Sequence, residues 1–418
     1  MITLIEAANF RSLQYVSQEL QPLQILVGPN ASGKTTFLDT ISFLGTVVAK
    51  GVNEAFVERS ENPADIFWQR KPERLDLAIE ASIPEDIQKK LRKRTFKKVR
   101  YELSVSADTD TLEPRIIHEK AFLKGEVQLP PQIRLAFPES QSPKQIINLK
   151  SGAEQATILS KSSSGNDNFY SEVYDKPGKG WTPTFNLGPK RSALGNLPAD
   201  EGKFPVASYL RKLLEAGIQK IMLNSLLLRQ SSPPGQSPGF RSDGSNLPWV
   251  IRDLSKKSPS QFKRWLAHLQ TALPNVIDIS VTVREDDRRA YLIVHYEGGL
   301  KAPSWVVSDG TLRMMALTIL PYLQDFSGVF LIEEPENGIH PTAVETIYQS
   351  LSSVYKGQVL IASHSPVLLS ISRPDQLLCF AKTPNGATDI VRGDRHPALR
   401  HWQNEVSLGS MFASGILS

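Results

Sequence analysis

One octapeptide constrains this chain more than any other feature. Gly28-Pro-Asn-Ala-Ser-Gly33-Lys34-Thr35 matches G-x-x-x-x-G-K-[ST] at every position, follows an apolar run at 23–28 and opens a helical pattern at 33–48. Within that helix Phe37, Leu38, Ile41 and Leu44 recur at helical spacing. A strand, a glycine-rich loop and a helix in this order bring backbone N–H groups and a helix N-terminus to one point, a cradle for phosphate oxygens. The pattern assigns Lys34 to the β- and γ-phosphates of a nucleotide and the Thr35 hydroxyl to Mg2+. Pro29, Asn30, Ala31, Ser32 and Thr36 join Gly28 and Gly33 as nucleotide-binding candidates.

A second chemical feature lies far along the chain. Val329-Phe-Leu-Ile is an apolar run that ends in two carboxylates, Glu333 and Glu334. A strand buried on both faces of a parallel sheet reads as such a run, and its charges come where it emerges. Ligands of parallel sheets bind at that carboxyl end. Glu333 is therefore expected to hold Mg2+, through water, and Glu334 to orient or deprotonate an attacking water.

The rest of the chain supplies a scaffold for these two features. Strand patterns fall at 2–10, 75–81, 99–105 and 116–122, and a basic stretch, Lys89 to Arg100, sits between the second and third. Residues 130–200 are poorly patterned. A helix at 206–214 and an apolar segment at 218–228 precede a Pro/Gly/Ser-rich loop at 231–239. An amphipathic helix at 261–273 carries Phe262, Trp265, Leu266, Leu269 and Leu273 on one face, and strands follow at 276–283 and 290–296. Helices at 310–323 and 341–354 alternate with strands at 329–333, 358–362 and 377–381. That alternation predicts a parallel α/β sheet split by a long insertion. The division expected is 1–50 and 301–418 as two parts of one nucleotide-binding head, with a β subdomain and inserted region at 51–300.

Composition narrows the setting. The 418 residues are 40% hydrophobic and 22% charged, ordinary for a soluble globular protein. A single cysteine, Cys379, rules out an intrachain disulfide framework or cysteine zinc site. No leader pattern opens the chain and no apolar run reaches the ~18 residues of a membrane span, so a cytoplasmic protein without a membrane partner is expected. The 48 Lys+Arg exceed the 43 Asp+Glu by five. Eight basic side chains fall within Lys89–Arg100, read either as a solvated face or as a nucleic-acid contact.

Four further segments carry a family resemblance. Asn9-Phe10-Arg11-Ser12, Val307-Ser308-Asp309-Gly310-Thr311, Glu334-Pro-Glu336-Asn-Gly-Ile-His340-Pro341 and Ser363-His364-Ser365-Pro366 occur in an order and spacing similar to those of ABC-type ATPases of the non-transporter kind. The chain resembles the SMC, RecF and overcoming-lysogenization-defect (OLD) families over about half its length. The resemblance implies an α/β P-loop NTPase fold: an ABC-ATPase-like head with an antiparallel β subdomain and a large inserted α+β region. It implies that Arg11 approaches the nucleotide, that Ser308 and Gly310 in the signature grip a γ-phosphate, and that His364 is the switch histidine. Lys34, Glu334 and His364 are then the catalytic set, with ATP and Mg2+ as cofactors and Thr35 and Glu333 as metal ligands. The signature of one copy would face the phosphate loop of another, giving a homodimer closed on ATP.

The sequence departs from that pattern in places. The first acidic residue of the pair is Glu333 where aspartate is usual, and Asp309 and Thr311 replace the usual signature residues. The family's glutamine loop is not placed: Gln69 is a candidate but reads more readily as a surface glutamine, and His340 reads equally as a packing or turn residue. About fifty residues follow His364, too few for an OLD-type Toprim nuclease domain. The resemblance thus implies an ATPase switch controlling a separate nuclease or other DNA-acting partner in anti-phage defence or repair. The alternative is a slow ATP-gated scaffold restraining a toxic effector.

Overall fold

The computed structural model describes every residue except 72, 109, 127–133, 142–143, 149–153, 164, 174–182, 237–238, 324–325, 401–405 and 418. The chain opens with β1 (Ile2–Phe10), β2 (Leu13–Glu19) and β3 (Leu23–Val27), then the phosphate loop and the helix Lys34–Lys50. β4 (Leu75–Ser82), β5 (Lys98–Ala107), β6 (Pro114–Lys124), β7 (Gln155–Ser162), β8 (Asp167–Phe169) and β9 (Thr184–Phe185) follow. With β1 and β2 they form an antiparallel sheet of order β2-β1-β4-β5-β6-β7-β8-β9. β10 (Ile218–Ile221) lies elsewhere, and β11 (Val276–Val283), β12 (Ala290–Tyr296) and β13 (Lys301–Pro303) make a small antiparallel sheet. β14 (Val329–Glu333), β15 (Gln358–Ala362), β16 (Leu377–Lys382) and β17 (Thr388–Arg392) complete the central sheet, of order β10-β14-β15-β3-β16-β17. All its pairings are parallel except β16 with β17.

This central sheet is buried on both faces, which is why its strands read as unbroken apolar runs. Alternate side chains enter different cores. Leu26, Val329, Leu331, Leu360, Leu378 and Phe380 pack with Phe37, Ile41 and Leu44 of the helix Lys34–Lys50 and with the inner face of the antiparallel sheet. Ile25, Val27, Phe330, Ile332, Val359, Ile361 and Cys379 face the other way, onto the helices Leu247–Lys257, Pro259–Gln270, Asp309–Thr318 and Pro341–Ser352. The helix Lys34–Lys50 touches strands of both large sheets and is the layer between them. The α/β P-loop head with an antiparallel sheet and an inserted α+β region is the fold the sequence predicts.

Element boundaries shift where local chemistry intervenes. The helix expected at 310–323 ends at Thr318, and Leu320–Tyr322 is a separate 3-10 turn. Pro321 lacks the N–H that would continue the helix. The apolar segment 218–228 divides into β10 and a short helix, Ser225–Arg229, because the Asn224 side chain accepts from Leu226 N and Leu227 N and caps a new helix start. β2, β17 and the helix Leu247–Lys257 were not foreseen. Part of 130–200 lies outside the described residues. The remainder includes β7, β8 and β9 and a segment held by Glu119, a fully buried carboxylate. It accepts from Tyr101 Oη at 3.0 Å, Ser192 Oγ at 2.8 Å, Ala193 N at 2.7 Å and Leu194 N at 2.9 Å.

The antiparallel sheet carries charge on the face turned from the core. Arg100 is buried there and donates from Nε to Glu102 Oε1 at 2.7 Å and from Nη2 to Ile146 O at 3.0 Å. It also pairs with Glu6 at 2.5 Å and Glu80 at 3.4 Å. The last residue of the basic stretch is therefore a structural cation neutralised by β1, β4 and β5, and it is no part of a nucleic-acid surface. Arg100→Ala leaves buried carboxylates without their counter-charge, and we expect a loss of about 3–5 kcal/mol in unfolding free energy. Urea denaturation checks this, and a loss below about 1 kcal/mol, the size of an exposed pair, would contradict it.

Candidate functional site

The phosphate loop closes on itself before any ligand is considered. Gly33, the residue before the helix, has φ 106°, a conformation that suits glycine. A Cβ there would lie 2.2 Å from Thr388 Oγ1, so the site excludes larger residues on space as well. Lys34 Nζ donates back to Gly28 O at 2.8 Å and Pro29 O at 2.9 Å. No side chain caps the N-terminus of the helix Lys34–Lys50, and no acidic residue lies in its first turn. A bare helix N-terminus with its partial positive charge is an anion site.

The cleft above this loop has a volume of about 400 Å³ and is lined by Ser12, Asn30, Ala31, Ser32, Gly33, Lys34, Thr35, Thr36, Glu333, Glu334, Ala362 and His364. The topology accounts for the gathering: β3, β14 and β15 are neighbours in one parallel sheet, so their carboxyl ends open at one edge. Thr35 Oγ1 donates to Glu333 Oε2 at 2.8 Å. Glu334 follows with φ 47°, its N–H bonded to Ala362 O at 2.8 Å. A left-handed glutamate is strained backbone, and such strain clusters at functional positions. A hydroxyl and a carboxylate beside a phosphate cradle are hard oxygen donors that suit Mg2+, which is commonly held by few protein groups plus phosphates. Among the described residues no cluster of three or more His, Cys, Asp or Glu could hold a metal.

The loop after β15 is tied to the acidic turn after β14. Glu336 Oε1 accepts from Ser363 Oγ at 2.7 Å and from His364 N at 3.0 Å. Burial, and then the Lys34 ammonium, holds the His364 imidazole below the ordinary histidine range, while Glu334 and Glu336 pull the other way. This direction favours the neutral imidazole.

Of the residues singled out by sequence, Arg11, Gly28, Pro29, Ser308 and Gly310 are not among those lining the cleft. The Arg11 guanidinium is engaged with Asp39 Oδ2 at 3.4 Å and Arg59 O at 3.3 Å. Ser308 is exposed and caps the helix Asp309–Thr318, accepting from Thr311 N at 3.2 Å. Gly310 packs on the acidic turn: a Cβ there would lie 2.8 Å from Gly338 O. Gln69 is likewise absent from the lining, and His340 is a cap, its Nδ1 accepting from Thr342 N.

Sequence reasoning did not single out Ser12 and Ala362 of the lining, nor Thr388, which supports the phosphate loop from the side. Its Oγ1 donates to Ser32 O at 2.9 Å and lies 3.0 Å from Ser12 Oγ, and its N–H bonds to Ser12 O at 2.9 Å. A lone threonine in an unforeseen edge strand gives no local signal.

The protonation of Lys34 yields a test. Burial lowers its ammonium from the usual lysine range to about 8, although Glu334 and Glu333 favour the charged form. The charged form is the one that binds phosphate. Affinity for ATP should therefore be full below pH 8 and fall as pH rises through it, by up to tenfold per unit. Equilibrium binding from pH 7 to 9.5 checks this. Lys34→Met should bind more weakly and without that slope, so an equal slope in both proteins would remove Lys34 as its source.

Comparison with known proteins bears on the family and the fold. Residues 23–370 match the family model described as "AAA domain, putative AbiEii toxin, Type IV TA system". No curated protein sequence matches the chain. An SMC head bound to the C-terminal winged-helix domain of ScpA is 13% identical, with a TM-score of 0.54 over 93% of this chain and 96% of that one. The SMC head domain of Thermotoga maritima is 9% identical, with a TM-score of 0.45 over 94% and 98% of the two chains. An Smc head with an extended coiled coil, bound to the C-terminal domain of ScpA and derived from Pyrococcus furiosus, is 12% identical with a TM-score of 0.48 over 93% and 95%. The first of these likenesses carries the fold assignment. By its family match over most of its length the chain belongs to the AAA-domain family of that description, and its fold is that of an SMC head.

Proposed function

We propose that the chain binds and hydrolyses ATP between two copies of itself and uses the cycle as a conformational switch. One observation carries the reading. The cleft gathers Lys34, Thr35, Glu333, Glu334 and His364, whereas Ser308 caps a helix outside it and is exposed. A phosphate loop whose cleft does not include the signature serine supports a site completed by a second copy. Trp305 and Val306, just before Ser308 in the chain, are exposed, as is Leu226 on the helix Ser225–Arg229, which packs on the helix Asp309–Thr318. Arg229 links this rim, pairing with Asp309 at 2.6 Å and donating to Trp305 O at 2.9 Å. Apolar side chains exposed around a helix N-terminus suit burial against a second copy.

In this reading Thr35 and Glu333 would hold Mg2+, which would supply charge neutralisation for the phosphates. Lys34 and the bare helix N-terminus bind the phosphates. Glu334 takes the proton of the attacking water, and neutral His364 donates to the γ-phosphate. Glu336 bonds both the acidic turn and the switch loop, so a change at the γ-phosphate reaches the Gly338 turn on which the signature helix packs. Loss of the γ-phosphate would then loosen the interface, as in other nucleotide switches.

The partner is proposed as a separate nuclease or other DNA-acting protein. Lys89, Lys90, Lys93, Arg94 and Lys97 are exposed in one stretch, which suits a polyanion. The family description, which names a toxin–antitoxin system, favours the second reading of a slow ATP-gated scaffold that restrains an effector. Turnover that stays low with the co-purified partner present would select the scaffold. Among the described residues no helix is long and apolar enough to cross a membrane.

Glu334→Gln should retain ATP affinity while turnover falls by at least 100-fold, the contribution of a placed general base. Light scattering should show the dimer accumulating with ATP. Near wild-type turnover in this variant would take Glu334 out of the mechanism.

Ser308→Arg should bind ATP as a monomer without hydrolysing it. Mixed with Lys34→Ala, it forms one intact composite site and should regain part of the turnover. A mixture that forms heterodimers and stays inactive would rule out a shared site.

A further inference from the structure

Glu333 meets two donors, one on each carboxylate oxygen. Thr35 Oγ1 donates to Oε2 at 2.8 Å, and Lys220 Nζ lies 2.9 Å from Oε1. Lys220 belongs to β10, the edge strand of the central sheet, which pairs in parallel with β14 and sets Lys220 opposite Leu331. From there its side chain runs toward the carboxyl end of β14. It is not among the residues lining the nucleotide cleft, and nothing in the sequence around it suggests a role at the site.

We propose that Lys220 is a positioning residue that holds the Glu333 carboxylate for the divalent cation; this rests on the proposed ATPase reading. Glutamate has one more rotatable bond than aspartate, so a carboxylate on this longer arm needs more restraint to keep one orientation. Thr35 anchors one oxygen from the phosphate loop, and Lys220 anchors the other from the neighbouring strand. With both in place the carboxylate has one orientation relative to Thr35, the other oxygen donor for the cation. Two effects of the lysine oppose each other. Its ammonium repels a divalent cation, but the side chain is 37% exposed, so water and salt screen the repulsion. The loss of a group that orients a metal ligand costs roughly 10–100-fold in metal affinity, and this effect dominates.

The test reads binding, separately from turnover. A fluorescent ATP analogue is titrated onto the full chain at fixed nucleotide and increasing Mg2+, with an EDTA control, for the wild type, Lys220→Met and Lys220→Arg. Lys220→Met should raise the Mg2+ concentration for half-maximal binding by about tenfold or more, and binding in EDTA should stay at the wild-type level, which also reports an intact fold. Lys220→Arg, which keeps the charge and the donors, should recover most of the shift. An unchanged Mg2+ midpoint in Lys220→Met overturns the proposal. A lowered midpoint does so too, since Lys220 would then compete with the cation. A wild type that binds no nucleotide at any Mg2+ concentration overturns the ATPase reading itself, whereas Mg2+-dependent binding with equal midpoints removes only the role of Lys220.

Discussion

The architecture depends on the place of β3 in the central sheet. This strand comes from the first thirty residues, yet it lies between β15 and β16 from the last third of the chain, with Leu360 opposite Gln24 and Leu378 opposite Leu26. Closing so long a loop is entropically unfavourable, though the penalty grows only with the logarithm of loop length. It is offset by burial: every residue of β3 and β15 is buried. Polar contacts fix the register. Gln358 accepts from Ile2 N at 3.0 Å and donates to Ile2 O at 2.8 Å and Gln21 O at 2.9 Å, tying the start of β15 to the N-terminal hairpin.

The site inherits its precision from this closure. The phosphate loop hangs between β3 and its helix and is held from the side by residues far away in sequence. Gly28 packs so closely on β16 that a Cβ would lie 2.3 Å from Phe380 O, and Thr388 in β17 accounts for the Ser32 carbonyl. The acidic turn and the switch loop are in turn one unit, because Glu336 bonds Ser363 and His364. Preorganised groups of this kind do most of what phosphoryl transfer asks of a protein, which is positioning and electrostatics.

Charge is distributed by the same logic. Lys34 and Glu333 line the open cleft, where a ligand can displace their present partners. Arg100 and Glu119 are sealed in sheets and satisfied by neighbours. A basic stretch read along the chain counts Arg100 with its neighbours. The fold removes it, because strand pairing brings Glu6 and Glu80 to its side, where Glu102 of the same strand also binds it. Pairing across strands has no signature in local sequence, so charge runs overstate what a surface presents.

By itself the sequence determined the parts whose physics is local. The glycine spacing of 28–33 specifies a phosphate loop, the apolar run before Glu333 specifies a buried strand ending at a site, and the helical period after Gly33 specifies the helix between the sheets. Only the tertiary structure decided which distant groups complete them. Thr388 and Lys220 reach the site through strand neighbours, β17 beside β16 and β10 beside β14. Arg11 is drawn to Asp39 by the packing of the first helix, and Ser308 is left on the surface, away from its own cleft. Motif spacing records what neighbouring backbone atoms must do. Contacts between strands depend on sheet order, which is chosen by the burial of the whole chain at once.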